Sequence, residues 1–209
     1  TDNFLCLAWD GFHAFDYLIV KQSTPRQNAE YLHDFAAQHD IADSHIIYDA
    51  VRGTYINDYI PDAIPFISNY APRGLYARAM FNLKTECYMR LVKAIVGQYI
   101  SFDDSLTNRI YDHQNIKQPI TIREEFREEC SVIRFKEMPS GKKCLMSKRE
   151  MNSKLGKNRS MDLLDPCAMR FFPCLEFAYG EEIEKTMNTY TEEEDGDENN
   201  SIFNETLYG

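Results

Sequence analysis

Residues 4–22, "FLCLAWDGFHAFDYLIVKQ", decide the fold. Two apolar runs flank Asp10-Gly11, a pair suited to the left-handed backbone of a tight turn, so the stretch is predicted as a β-hairpin. The next segment, "STPRQNAEYLHDFAAQHD" (23–40), is predicted as a helix. Thr24 can cap it, Pro25 fits the first helical position, and Gln27 completes a capping box. Tyr31, Leu32, Phe35 and Ala36 fall on one face.

Further along, "SHIIYDA" (44–50) reads as a short buried strand and "TYINDYI" (54–60) as a helical turn. "IPFISNY" (64–70) reads as another strand. Residues 80–97 give the clearest helix: Met80, Leu83, Cys87, Leu91 and Ile95 form a stripe that Tyr88 and Ala94 widen, and Gly97 ends it. "SFDDSLTNRIYDH" (101–113) is predicted helical, and "EEFREEC" (124–130) a charged helix or loop. Residues 131–147 read as a second hairpin around Pro139-Ser140-Gly141. "KREMNSKLG" (148–156) is a helix stopped by Gly156, and "MDLLDPCAMRFF" (161–172) a last helix stopped by Pro173. Strands alternating with helices in this order predict an α/β fold, a mixed β-sheet flanked by helices, with an extra β-hairpin.

The 209 residues suit one domain plus a tail. The formal net charge of −10 is unevenly spread: residues 180–209 hold ten acids against one base, leaving residues 1–179 near neutrality. The acidic tail, with "TEEEDGDENN" (191–200), is expected to be disordered and separate from the body. The six cysteines form no C-x-x-C pair and sit in apolar company, so they are expected to be reduced core thiols rather than zinc ligands or a disulfide framework. The chain starts on Thr1 without a basic leader, and is expected to be a fragment.

Three features carry possible chemistry. In "HIIYDAVRG" (45–53), Asp49 ends an apolar strand, where it either starts a turn or holds a ligand at the sheet edge. Asp162 and Asp165 are three apart, so they share a face if one helix runs through both. The residues alone favour capping: Ser160 can cap a helix whose first turn holds Asp162, or Asp165 can cap one starting at Pro166. The third feature is a basic stretch of Lys142, Lys143, Lys148, Arg149, Lys154, Lys157 and Arg159. It is either a solvated face or a seat for a phosphate backbone. The five histidines lack metal-ligand spacing, and "PSGKK" lacks the G-x-x-x-x-G-K-S/T frame of a nucleotide-binding loop.

Four segments in order resemble the C-terminal nuclease domain of tailed-bacteriophage terminase large subunits. "NFLCLAWDGFHAFDYLIV" (3–20) looks like that family's second and third strands, and "IIYDAVRGTYINDYI" (46–60) like its D-x-x-x-G strand, turn and helix. "FNLKTECYMRLVKAI" (81–95) looks like its long helix, and residues 145–169 like its terminal K-x(n)-G-x-S-P-D-x-x-D-A-L segment. The resemblance implies a ribonuclease H-like fold for residues 1–179. It also implies a metal-dependent endonuclease that cuts concatemeric viral double-stranded DNA during packaging in the host cytoplasm. Asp49, Asp162 and Asp165 would hold two Mg²⁺ or Mn²⁺ ions, with Asp162 the favoured ligand and Asp165 an accessory one. Lys148 would contact the scissile phosphate. Implied partners are an upstream ATPase domain, the portal and the small terminase subunit. The family's first acid falls ahead of Thr1, and Met161 and Pro166 replace its usual proline and alanine. Alternatives are a resolvase- or integrase-type nuclease of the same fold, or a non-catalytic docking module of the packaging motor.

Overall fold

The computed structural model describes residues 4–21, 23–50, 56–73, 76–111, 119–154 and 162–173. Strands β1 (Phe4–Asp10) and β2 (His13–Val20) form the expected antiparallel hairpin. Gly11 takes φ +54° in its two-residue turn, a backbone that a Cβ would strain. Helix α1 (Pro25–Gln38) starts as its sequence predicts. The Thr24 side chain accepts from the Gln27 amide, and the Gln27 side chain accepts from the Thr24 amide. Thr24→Ala removes one side of this exchange and is expected to lower stability by about 1 kcal/mol. Urea denaturation reads this directly, and an unchanged midpoint refutes it. Ala29, Leu32 and Ala36 bury the helix face, while Tyr31, expected on that face, is exposed.

Strands β3 (Ile47–Asp49) and β4 (Ile64–Phe66) pair in parallel. The 3₁₀ turn Ile56–Asp58 lies between them, matching the predicted helical turn. Helix α2 (Leu83–Val96) is the expected long helix, but Met80 lies outside it, because Asn82 is the N-cap. The helix also departs from a one-striped amphipathic pattern. Thr85, Glu86 and Arg90 are buried along with the apolar positions. Glu86 accepts the Arg73 amide at 2.8 Å and lies 3.6 Å from the Arg90 guanidinium, and the Thr85 hydroxyl accepts the Leu145 amide at 3.1 Å.

Residues 101–111 depart from the predicted helix. They form β5 (Ser101–Phe102), the single turn α3 (Asp104–Thr107) and β6 (Ile110–Tyr111). The reason is tertiary: β5 pairs in parallel with His13 and Ala14 of β2, fixing Phe102 against Trp9 and Phe126. Strand β7 (Ile120–Thr121) pairs with β6 and leads into α4 (Ile122–Ser131), which has its own Thr121/Glu124 capping box. The second hairpin is present as β8 (Phe135–Glu137) and β9 (Lys143–Leu145). It is tied to the start of α2 through Phe81 and Lys143 backbone bonds. Helices α5 (Lys148–Lys154) and α6 (Leu164–Met169) close the described structure.

The strand order β1-β2-β5 mixes antiparallel and parallel pairing, and the remaining strands form three two-stranded ladders. The principal core packs α2 against α6 and the β8–β9 hairpin, through residues such as Leu83, Cys87, Leu91, Leu164, Cys167 and Phe171. Of the cysteines expected in the core, Cys87 and Cys167 are buried, whereas Cys6, Cys130 and Cys144 are half-buried; Cys174 and the acidic tail lie outside the described residues. No helix among the described residues is long and apolar enough to cross a membrane.

Candidate functional site

Asp49 is the last residue of β3 and is exposed at the carboxyl end of the parallel pair. Its strand runs apolar through Ile47, which packs against the principal core, and Tyr48, which is buried in the α1-side core. The two following elements of the motif, Arg52 and Gly53, lie outside the described residues.

Asp165 comes to the same place from the other end of the chain. A pocket is lined by Asp49, Phe66, Lys84, Cys87, Tyr88, Asp165, Ala168 and Met169. Asp165 sits in the first turn of α6, which packs on α2. Neither predicted cap arrangement is present. The N-cap is Leu163, with no side-chain bond of its own, and Pro166 falls third in the helix. An amide there has no intrahelical acceptor, so proline costs nothing and no kink is needed. Asp162 precedes the helix rather than sharing a helical face with Asp165; Ser160 lies outside the described residues.

The two carboxylates near α6 are held by cations. Lys148 Nζ lies 2.7 Å from Asp165 Oδ2 and 3.6 Å from Asp162 Oδ1. Lys84 Nζ lies 2.9 Å from Asp165 Oδ1, to which the Tyr88 hydroxyl also donates at 2.6 Å. Burial opposes ionisation of Asp165, but the Lys84 and Lys148 ammoniums and the Tyr88 bond outweigh it and bring its carboxyl down to about 2. Burial likewise works against charge on Lys148, and Asp165 and Asp162 outweigh it, so this ammonium is held above its ordinary value. Burial, with Asp165 adding to it, keeps the Tyr88 phenol protonated well past its usual range. Asp165 is therefore an anion and Tyr88 a donor at neutral pH.

Of the basic stretch, Lys148 reaches the acids. Lys142 and Lys143 belong to the β8–β9 hairpin and Arg149 is an exposed residue of α5, while Lys157 and Arg159 lie outside the described residues. Lys154 ends α5. Three residues of the site are absent from the sequence expectations. Lys84 and Tyr88 are one helical turn apart on α2, with the ammonium 5.6 Å from the ring centroid. That i, i+4 spacing was the available signal, hidden because Tyr88 also fits the apolar stripe. The third is Glu129 of α4, a fully buried carboxylate that accepts the Leu163 and Leu164 amides at 3.3 and 2.8 Å. Burial pushes it up to about 8 against the pull of those amides.

Carboxylates of Asp49, Asp165 and the adjacent Asp162 are hard oxygen donors of the type that Mg²⁺ or Mn²⁺ takes. Among the described residues, no three potential ligand side chains gather closely enough to hold an ion by themselves. The lysine charges on Asp165 show that this carboxylate already balances positive charge in the pocket.

No protein-family model matches the sequence, and no curated protein is significantly similar to it. Solved structures are similar. The nuclease domain of the large terminase subunit gp2 of bacterial virus Sf6 aligns with a TM-score of 0.60 at 18% identity, covering 77% of each chain. A point mutant of that domain with manganese gives 0.60 at 18% identity, covering 77% of this chain and 79% of the other. A mutant with calcium gives 0.60 at 18%, covering 77% and 78%. The chain thus has the fold of that nuclease domain.

Proposed function

We propose that this chain is a divalent-metal-dependent DNA endonuclease domain of a phage terminase, cutting concatemeric double-stranded DNA during genome packaging. The carrying observation is that Asp49 and Asp165, distant in sequence, line one pocket at the carboxyl edge of a parallel strand pair. Similar solved domains that hold manganese or calcium support a divalent ion here. Asp49 and Asp165 would hold it, with Asp162 alongside. A bound ion, or a pair as the resemblance implies, supplies an activated water and neutralises charge on a phosphate.

The chain's own residues do the remainder. Lys84 and Lys148 bring two ammoniums to the pocket beside Asp165, where they would also meet a phosphate. Tyr88 keeps its proton and fixes the orientation of Asp165. Lys142, Lys143, Arg149, Lys154, Lys157 and Arg159 are assigned to duplex backbone contacts. The proposed setting is the host cytoplasm, with an ATPase domain, portal and small terminase subunit as partners, and residues 180–209 as an acidic tail.

The test is incubation of the full-length protein with supercoiled plasmid and Mn²⁺. Nicked and linear products are expected, abolished by chelation and by Asp49→Ala. A plasmid left intact, together with no Mn²⁺ binding by calorimetry, overturns the nuclease reading in favour of a docking module. Preference for four-way junctions over duplex points instead to a resolvase-type enzyme.

A further inference from the structure

One fully buried carboxyl group near the site is not among the acids facing the pocket. Glu129, on α4, is fully buried, and both its oxygens are committed to the backbone of another element. Oε1 accepts from Leu163 N at 3.3 Å and Oε2 from Leu164 N at 2.8 Å. Those two amides lie between Asp162 and Asp165 in the chain. They open a helix whose own N-cap residue, Leu163, offers no side-chain acceptor. A buried amide without an acceptor costs about 1–3 kcal/mol, so the segment is driven to sit where Glu129 can serve both.

The far end of α6 is also tied. Arg170 Nε donates to the Gly11 carbonyl at 2.7 Å, and Phe171 stacks on Phe12 at 5.0 Å between ring centroids. Leu164, Cys167 and Ala168 press the helix onto α2. These contacts fix the axis of α6. At its beginning, where Asp165 meets Lys84, Lys148 and Tyr88, the amides of Leu163 and Leu164 are held by Glu129.

We infer that Glu129 is a positioning residue for the metal-binding acids: through two backbone amides it sets where Asp162 and Asp165 stand. This rests on the nuclease reading for its consequence, though not for its geometry. Asp162 repels a charged Glu129 and Lys148 attracts it, so the inference is carried by the two amide contacts and not by the charges. The geometry is that of a carboxylate used as a helix cap supplied from a neighbouring helix. Outer residues that orient metal ligands typically change metal affinity or activity by about 10–100-fold when replaced.

Glu129→Gln and Glu129→Ala are compared with wild type in two arms. In the metal-free protein, NMR should show a nuclear Overhauser contact between the Tyr88 ring and the Asp165 β-protons in wild type. It should weaken in Glu129→Gln, which keeps one acceptor, and vanish in Glu129→Ala. In the second arm, calorimetric Mn²⁺ affinity and the Mn²⁺ midpoint for plasmid cleavage should weaken about 10–100-fold in Glu129→Ala and less in Glu129→Gln. If Glu129→Ala does not fold, the isosteric Glu129→Gln decides. A folded Glu129→Gln with the Overhauser contact and the Mn²⁺ affinity both intact overturns the inference. If wild type neither binds Mn²⁺ nor cuts DNA, the nuclease reading falls, and the metal-free arm alone decides the role of Glu129.

Discussion

Asp165→Asn is expected to reduce Mn²⁺-dependent plasmid cleavage by about a thousandfold or more, and Asp162→Asn by about tenfold. The sequence resemblance ranks these two acids the other way, with Asp162 as principal ligand. The ranking offered here rests on which acid shares a pocket with Asp49. Asp165 lines that pocket; Asp162 stands behind it, on Lys148. A bound ion contributes several kcal/mol of charge stabilisation, and about 4 kcal/mol corresponds to a thousandfold in rate. Asparagine preserves the volume of Asp165 and one oxygen, so a loss of activity reads the charge rather than the packing. Single-turnover cleavage with the variants matched for folded fraction checks this. Equal damage from the two substitutions, or Asp165→Asn cutting within about threefold of wild type, sinks the assignment.

The second large effect concerns stability without metal. Lys84→Met with Lys148→Met leaves Asp165 largely buried with its two nearest cations gone. Breaking a buried ion pair by removing one side costs about 3–5 kcal/mol. Both lysines keep some contact with solvent, so the lower end, about 3 kcal/mol, is expected at neutral pH. Urea denaturation measures it.

The pH dependence gives the sign. In wild type, Asp165 is at about 2 folded and near 3.8 unfolded. Its contribution is therefore fully present above about 3.8 and is lost as pH falls through 2. In the double variant burial dominates and raises the carboxyl above 3.8, so acidification from that raised value down to about 3.8 should stabilise, and the wild-type loss between 3.8 and 2 should disappear. Mn²⁺ should also stabilise the double variant at least as much as wild type, since the ion no longer competes with ammoniums. A variant as stable as wild type, with the same acid slope, removes the lysines from the account.

Local rules made much of the fold legible. Asp10-Gly11 marked the hairpin because only a few residues tolerate that backbone, and Thr24 with Gln27 marked the start of α1 because a capping box closes on itself. The 101–111 segment was not legible in the same way. Asp104, Ser105 and Leu106 do enter a helical turn, yet Phe102 is claimed by the edge of β2, a partner almost ninety residues away. The site was legible by halves. Asp49 announced itself by ending an apolar run. Its meeting with Asp165 depends on how α6 lies on α2, which no local pattern encodes. Lys84 was concealed because a lysine in a helix's first turn looks like solvated surface. Glu129 was concealed because "REEC" reads as a polar face, whereas α4 turns it inward to serve amides that come later in the chain. Both are cases of tertiary need overriding composition.

Helix α2 carries one more consequence. It is enclosed on nearly every side, with Glu86 holding the Arg73 amide, Thr85 holding the β8–β9 hairpin, and Lys84 and Tyr88 holding Asp165. Successive residues on a helix are about 100° apart. A one-residue insertion between Lys84 and Tyr88 would turn the couplings on one side of it about 100° out of mesh with those on the other, as with a splined shaft. The register of α2 therefore matters to these contacts as much as the identity of its residues. Length change is admissible only beyond the last coupled turn, where Val96 already stands 65% exposed.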